Sequence, residues 1–187
     1  MNQKNIEQLA NRILQAEKIL NPPIKSEVLA ESYFGLDFDC GKLGNDKLAG
    51  LKVAEKKIYM NESRADEFNV NFGLKNFTIA HELGHWVLHK DLIGEHTPQM
   101  EREADKFATY LLMPEKMIRE EFAKINPSFT WSDVYLMSEK FCVSVTAMKI
   151  RLSQRELKLI YVDFNSGKCY RSKEEFLEKE GGQIKLF

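Results

Sequence analysis

The chain has 187 residues, 43% hydrophobic and 29% charged, with a formal net charge of −1. This length suits one domain, or one domain with a small appendage, and the apolar share is enough for a core. Near-neutral charge gives no bulk electrostatic signal for nucleic acid or an anionic membrane, and no apolar run approaches the ~18 residues of a membrane span.

Residues 4–20 read as an amphipathic helix, with Ile6, Leu9, Ile13 and Leu14 on one side, stopped by Asn21-Pro22-Pro23. The segment lacks the apolar centre of a signal peptide. Three scattered cysteines, Cys40, Cys142 and Cys169, are odd in number and lack C-x-x-C spacing, so they read as reduced thiols. The expectation is a cytoplasmic protein. Ser26 caps a second helix through Ser32, with Val28 and Leu29 inward. Leu36–Cys40 reads as a strand, Gly41 to Asp46 as a loop, and Leu48–Ala54 with Lys57–Met60 as a hairpin around Glu55-Lys56. A long helix is expected at about 76–90, capped by Asn76, and another from Glu101 to Met113, before Pro114.

Beyond Pro114, Glu115–Lys124 is amphipathic. Thr130 or Ser132 caps a helix over Val134, Leu136 and Phe141; Cys142-Val143 turns; Ser144 caps a helix through Leu152. This outlines a helix–turn–helix. Its second helix carries only Lys149 and Arg151, with Arg155 just beyond, among Val145, Ala147, Met148, Ile150 and Leu152. A recognition helix presents several polar side chains to base edges, so a packing role is expected here. Leu157–Phe164 reads as a strand, Asn165 to Lys168 as a turn with a return to Arg171, and Glu174–Lys179 as a short charged helix. Gly181 to Phe187 reads as a mobile end.

His81-Glu82-Leu83-Gly84-His85 is the segment that names a chemistry. On a helix, imidazoles at i and i+4 share a face with Cβ atoms about 5–6 Å apart. One tetrahedral Zn²⁺, with Zn–N bonds of roughly 2.0–2.1 Å, can bridge them. Glu82 then points beside the metal, where a carboxylate can deprotonate a water. The flanking Phe77, Ile79, Ala80, Leu83, Val87 and Leu88 mark a buried helix.

A catalytic zinc needs a third protein ligand. His89 continues the i+4 series but stands about 11–12 Å along the axis from His81, too far for one metal. It reads as a surface histidine or as a support behind a ligand. Asp91 stands where H-E-x-x-H-x-x-G-x-x-H places its last His, but Leu88 occupies the place of the required Gly. On the following helix the apolar stripe is Ala104, Phe107, Ala108, Leu111 and Leu112. Glu101 projects roughly 55° from its centre and Glu103 roughly 105°. Glu101 therefore faces inward. Asp105, at i+4 from it, can accept the N–H of a liganding His and fix its tautomer. Glu103 reads as a solvated carboxylate, favourable at a helix N-terminus.

FTIAHELGHWVLH followed by EREADKFATYLLMP resembles the ImmA/IrrE family of zinc metallopeptidases. IKSEVLAESYFGLDFD, LAGLKVAEKKIYMNES and LMSEKFCVSVTAMKIRL are similar to further family segments, so the resemblance spans roughly residues 20–155. It implies an α+β fold: a zincin-like core of a small sheet plus the active-site helix, followed by a helical, helix–turn–helix-like segment. The implied division is an N-terminal helix (1–21), a peptidase core (22–125), the helical segment (126–156) and an extension (157–187). Position by position, His81, His85 and Glu101 would bind one zinc ion, Glu82 would be the general base, and Asp105 would support a ligand. His89 and Glu103 stand as further candidates near the site.

The function this implies is a gluzincin-like endopeptidase that cleaves a regulatory protein, a helix–turn–helix repressor of a mobile element or stress response, with no direct nucleic-acid or membrane partner. An extended substrate would add to a sheet edge, for which Leu48–Ala54 is the candidate. His89 and Tyr110 are candidates for assisting the oxyanion, although Tyr110 projects opposite Glu101. Two rival readings are a non-catalytic zinc protein that antagonises a repressor by binding it, and direct transcriptional regulation through residues 130–155.

Overall fold

A computed structural model describes residues 2–92, 97–125, 129–163 and 165–180. It is a mixed α+β fold. Helix α1 (Gln3–Ala16) buries Ile6, Ala10, Ile13 and Leu14 and packs on α5 (Pro98–Leu112). It ends earlier than the expected residue 20, because Lys18 turns at φ 53° and Leu20 is exposed with no core to join. Helix α2 (Ser26–Ser32) buries Leu29 but exposes Val28, since neighbours 100° apart cannot both face α4 (Phe72–His89) on so short a helix.

Strands β1 (Asp37–Gly41), β2 (Ala49–Lys52) and β3 (Lys57–Asn61) form one sheet in the order β1-β3-β2. The expected hairpin is present: β2 and β3 pair antiparallel, Ala49 opposite Met60 and Lys52 opposite Lys57. A 3-10 turn at Val53–Glu55 and a left-handed Lys56 (φ 50°) join them. The parallel pairing of β1 with β3, from Asp37–Lys57 to Gly41–Asn61, joins segments distant in sequence. Alternation along β3 sorts its side chains. Ile58 and Met60 enter the core, while Tyr59 turns out to bond Glu55 (2.6 Å) under the Lys52 ammonium.

After helix α3 (Ala65–Val70) comes α4, which starts before the expected residue 76. Asn71, not Asn76, is its N-cap, accepting from the Leu74 N–H. Asn76 lies inside the helix and ties three segments together. Its Oδ1 accepts from the backbone N–H and Oγ of Ser26, and its Nδ2 donates to the carbonyls of Ile24 and Cys142. Ser26 thus spends its hydroxyl on α4 rather than on capping α2. Gly73 in the first turn of α4 lies against the backbone of Val143, and a Cβ there would stand 2.7 Å from the Val143 carbonyl carbon.

Helices α6 (Glu115–Phe122), α7 (Trp131–Phe141) and α8 (Val145–Ser153) follow the expected course. Thr130 and Asp133 form a capping box on α7, Cys142 makes the turn at φ 51°, and Ser144 caps α8. Leu136, expected inside, is exposed, while Val134, Met137 and Phe141 take the core-facing positions. Arg151 is fully buried. Its Nε donates to the carbonyl of Met113 at the end of α5, its Nη1 bonds Gln154, and its guanidinium stacks on Tyr110. The packing role expected of α8 is what these contacts describe.

The extension is a minimal hairpin, β4 (Tyr161–Val162) with β5 (Cys169–Tyr170), much shorter than the Leu157–Phe164 strand expected. Helix α9 (Lys173–Glu180) covers it, with Phe176 against Tyr161 and Tyr170. The Gly181–Phe187 end lies outside the described residues. No described helix is long and apolar enough to cross a membrane.

Candidate metal centre

Helices α4 and α5 run antiparallel, as the pairings His81 with Asp105 and His85 with Glu101 require. Their close approach depends on Gly84. A Cβ there would stand 2.8 Å from Ala104 Cα and 3.0 Å from its carbonyl oxygen. The absent side chain lets the acidic first turns of α5 reach the imidazoles of α4.

Donor atoms of three residues converge. His81 Nε2 lies 3.0 Å from His85 Nε2 and 3.2 Å from Glu101 Oε2, and His85 Nε2 lies 3.4 Å from Glu101 Oε1. A tetrahedron with Zn–N bonds of 2.0–2.1 Å has edges of about 3.3 Å, so the two nitrogens and the Glu101 carboxylate lie at spacings suited to one such ion. The same three residues form a possible metal-holding group among the described residues. The outer ring nitrogens are engaged elsewhere, which leaves both Nε2 atoms turned to the common point. His81 Nδ1 is 2.8 Å from Asp105 Oδ1, and His85 Nδ1 is 3.1 Å from His89 Nδ1.

Glu82 is only 7% exposed. Burial, helped by the nearby Glu101 charge, pushes its carboxyl up to about 7, against the opposing charge of His81 and smaller opposing contributions from Lys47 and the Leu51 backbone. Burial by itself would lower the His81 pKa, but the hydrogen bond to Asp105 and the charges of Glu82, Asp105 and Glu101 outweigh it and raise it.

These groups open onto a cleft of about 430 Å³. One wall is the segment from Asp46 to Leu51, including most of β2; the others are Phe77, Thr78 and the metal-site side chains. Among the described residues strand β2 pairs with β3 alone, so its other edge is an edge of the sheet beside the cleft.

The structure brings His81, Glu82, His85, Glu101 and Asp105 together as their spacing suggests. One expectation needs correction. Glu103 is not a solvated carboxylate: its side chain is 13% exposed and accepts from His89 Nε2 at 3.1 Å. Angles measured from the whole apolar stripe of α5 mislead there, because α4 touches α5 at Ala104, next door to Glu103. Of the two roles left open for His89, the structure fits the support behind a ligand: it is buried between His85 and Glu103. Tyr110 lies beneath Arg151, and neither it nor His89 lines the cleft. Lys47, which sequence reasoning passed over, does line it. Asn61, buried at the end of β3, holds that loop by donating to the carbonyls of Lys47 (2.7 Å) and Gly44 (3.2 Å). A single lysine in a polar loop carries no pattern that would single it out.

Residues 52–153 match the profile of the IrrE N-terminal-like domain, peptidase M78. The chain belongs to this family. The match covers both histidines, Glu82, Glu101 and Asp105, and it bears out the family resemblance of the motifs. A solved structure described as a Mycobacterium tuberculosis transcriptional regulator shares the fold, with a TM-score of 0.57 at 16% identity over 90% of this chain. The shared region is 55% of that protein, so this chain spans about half its length. None of the curated proteins matches significantly.

Proposed function

We propose that the chain is a zinc-dependent endopeptidase that cuts a regulatory protein, a DNA-binding repressor of the helix–turn–helix kind. The observation that carries this reading is the convergence of His81 Nε2, His85 Nε2 and Glu101 beside a buried Glu82, at the mouth of a cleft bordered by a strand edge. Structural zinc sites are closed by four side chains, whereas catalytic ones keep three and an open position. A Zn²⁺ held by these residues supplies Lewis-acid activation of water and of the peptide carbonyl.

The remaining work falls to the chain itself. A Glu82 carboxyl oxygen takes a proton from the attacking water and returns it to the leaving amine. Burial, which raises this carboxyl in the metal-free chain, works toward a group that can both take and return a proton. Asp105 accepts from His81 Nδ1 and keeps that ring turned with Nε2 inward. The free edge of β2 offers main-chain hydrogen bonds to an extended peptide. Lys47 places a positive charge in the cleft, suited to the oxygen that becomes anionic. The choice of a repressor as substrate rests on the habit of the ImmA/IrrE family. The description of the fold neighbour as a transcriptional regulator fits the same setting.

The test compares cells expressing the wild-type chain with cells expressing Glu82→Gln, by mapping newly formed protein N-termini. New termini inside a DNA-binding regulator should appear with the wild type alone, while the purified variant still takes up zinc. A regulator captured intact by both proteins, with no new termini, would replace the peptidase reading with the binding one.

A further inference from the structure

The two candidate histidine ligands are supported in different ways. His81 gives its Nδ1 to Asp105, a carboxylate whose side chain is 59% exposed. His85 gives its Nδ1 to another imidazole, His89 Nδ1 at 3.1 Å, and His89 Nε2 continues to Glu103 Oε2 at 3.1 Å. The His85 and His89 side chains are each 3% exposed.

The His85–His89 pair faces away from the ligand cluster, so its two ring nitrogens share one proton: one donates and the other accepts. The direction follows from the far end. An ionised carboxylate only accepts, and Glu103 also receives Gln99 Nε2 at 3.1 Å. His89 therefore carries its proton on Nε2 and donates it to Glu103. A neutral His89 is then bare at Nδ1 and accepts from His85 Nδ1–H. His85 in turn is bare at Nε2, the atom that faces His81 Nε2 and Glu101 Oε1. The reverse direction would set a lone pair of His89 against the Glu103 carboxylate. It would also put a proton on His85 Nε2, pointing into the ligand cluster.

We propose that His89 and Glu103 are positioning residues that select, through two successive hydrogen bonds, the His85 tautomer whose Nε2 carries a lone pair rather than a proton toward the metal position. This rests on the reading of His81, His85 and Glu101 as a metal site. The intervening imidazole has a physical purpose. A carboxylate placed directly behind buried His85 would be stripped of water at a high cost. His89 carries the carboxylate's preference inward from Glu103, whose side chain is 13% exposed against 3% for His89.

The experiment uses the full chain labelled with ¹⁵N-histidine, loaded with one equivalent of Zn²⁺, and long-range ¹H–¹⁵N spectra. The expected pattern is a proton on Nδ1 of His85 and on Nε2 of His89. His89→Phe fills the space without an acceptor and should weaken zinc affinity about 10–100-fold. Glu103→Gln, which can accept or donate, should weaken it less and leave His89 as a mixture of tautomers. The inference alone is overturned if zinc binds and the His89 proton sits on Nδ1, or if His89→Phe binds zinc as tightly as the wild type. A wild-type chain that takes up no zinc overturns the metal reading and the inference together. The tautomer measurement needs no variant, so a His89→Phe protein that fails to fold leaves the question decidable.

Discussion

Gly84 of α4 meets Ala104 of α5 so closely that a Cβ on Gly84 would stand 2.8 Å from Ala104 Cα. The obstacle is backbone, not the end of a flexible side chain, so any larger residue must push the helices apart. Glu101 sits one turn before Ala104, and its distance to His81 and His85 is set by this contact. Gly84→Ala is expected to destabilise the metal-free protein by about 1–3 kcal/mol, the usual cost of overpacking, and to weaken zinc binding as well. Urea denaturation and a chelator-competition titration read the two effects. Unaltered zinc affinity would show that Glu101 does not depend on this approach.

Asp105 and His81 make a second prediction. Removing the acceptor in Asp105→Ala should lower zinc affinity by about tenfold, the weak end of the range for such supporting groups. The carboxylate is more than half exposed, and water can take its place at His81 Nδ1. Asp105→Asn, which keeps an acceptor oxygen, should stay within a few-fold of the wild type. A chelator titration on both variants checks the order.

Glu82 predicts a pH dependence of stability. Its carboxyl is raised by burial from 4.5 to about 7 in the metal-free fold. A raised pKa means the folded state holds the proton more tightly than the unfolded chain. The stability this contributes is complete below about 4.5 and is lost as pH rises through about 7, by roughly 3 kcal/mol in all. His81, also raised, acts in the same direction. Glu82→Gln should flatten the fall in stability between pH 5 and pH 8. Denaturation midpoints of the metal-free wild type and variant across that range decide it; parallel curves would mean that Glu82 is ionised throughout.

Asn76 is expected to matter for stability more than for the site. Asn76→Ala leaves the Ser26 N–H and the carbonyls of Ile24 and Cys142 without their partner. The loss should be about 2–3 kcal/mol, since stranded polar groups cost more than the bond itself. Zinc affinity should fall less than in Gly84→Ala. The same two titrations separate the effects.

Much of this site was legible before any coordinates. His81, Glu82 and His85 lie within one turn of one helix, so their relation is local and follows from helical periodicity. The reach to Glu101 and Asp105 could be argued from the apolar stripe of α5. Asn76 was misread because an Asn ahead of an apolar run looks like a cap. Its true partners, Ser26 and Cys142, are 50 and 66 residues away. Arg151 reads in sequence as a basic residue of a helix–turn–helix, yet it lies inside the protein, bonded to the end of α5.

The chain's own order of residues was enough to mark most of the helices, though not α3, with the hairpin, the HExxH motif and the family, because each depends on spacings of a few residues. Tertiary structure decided the rest. It paired β1 with β3, brought Lys47 to the cleft wall, and turned Glu103 from an apparent surface charge into the anchor behind His89. Those relations depend on how closely two helices approach and on which loop folds over them. Such distances are set by packing between segments far apart in the chain, and no local pattern encodes them.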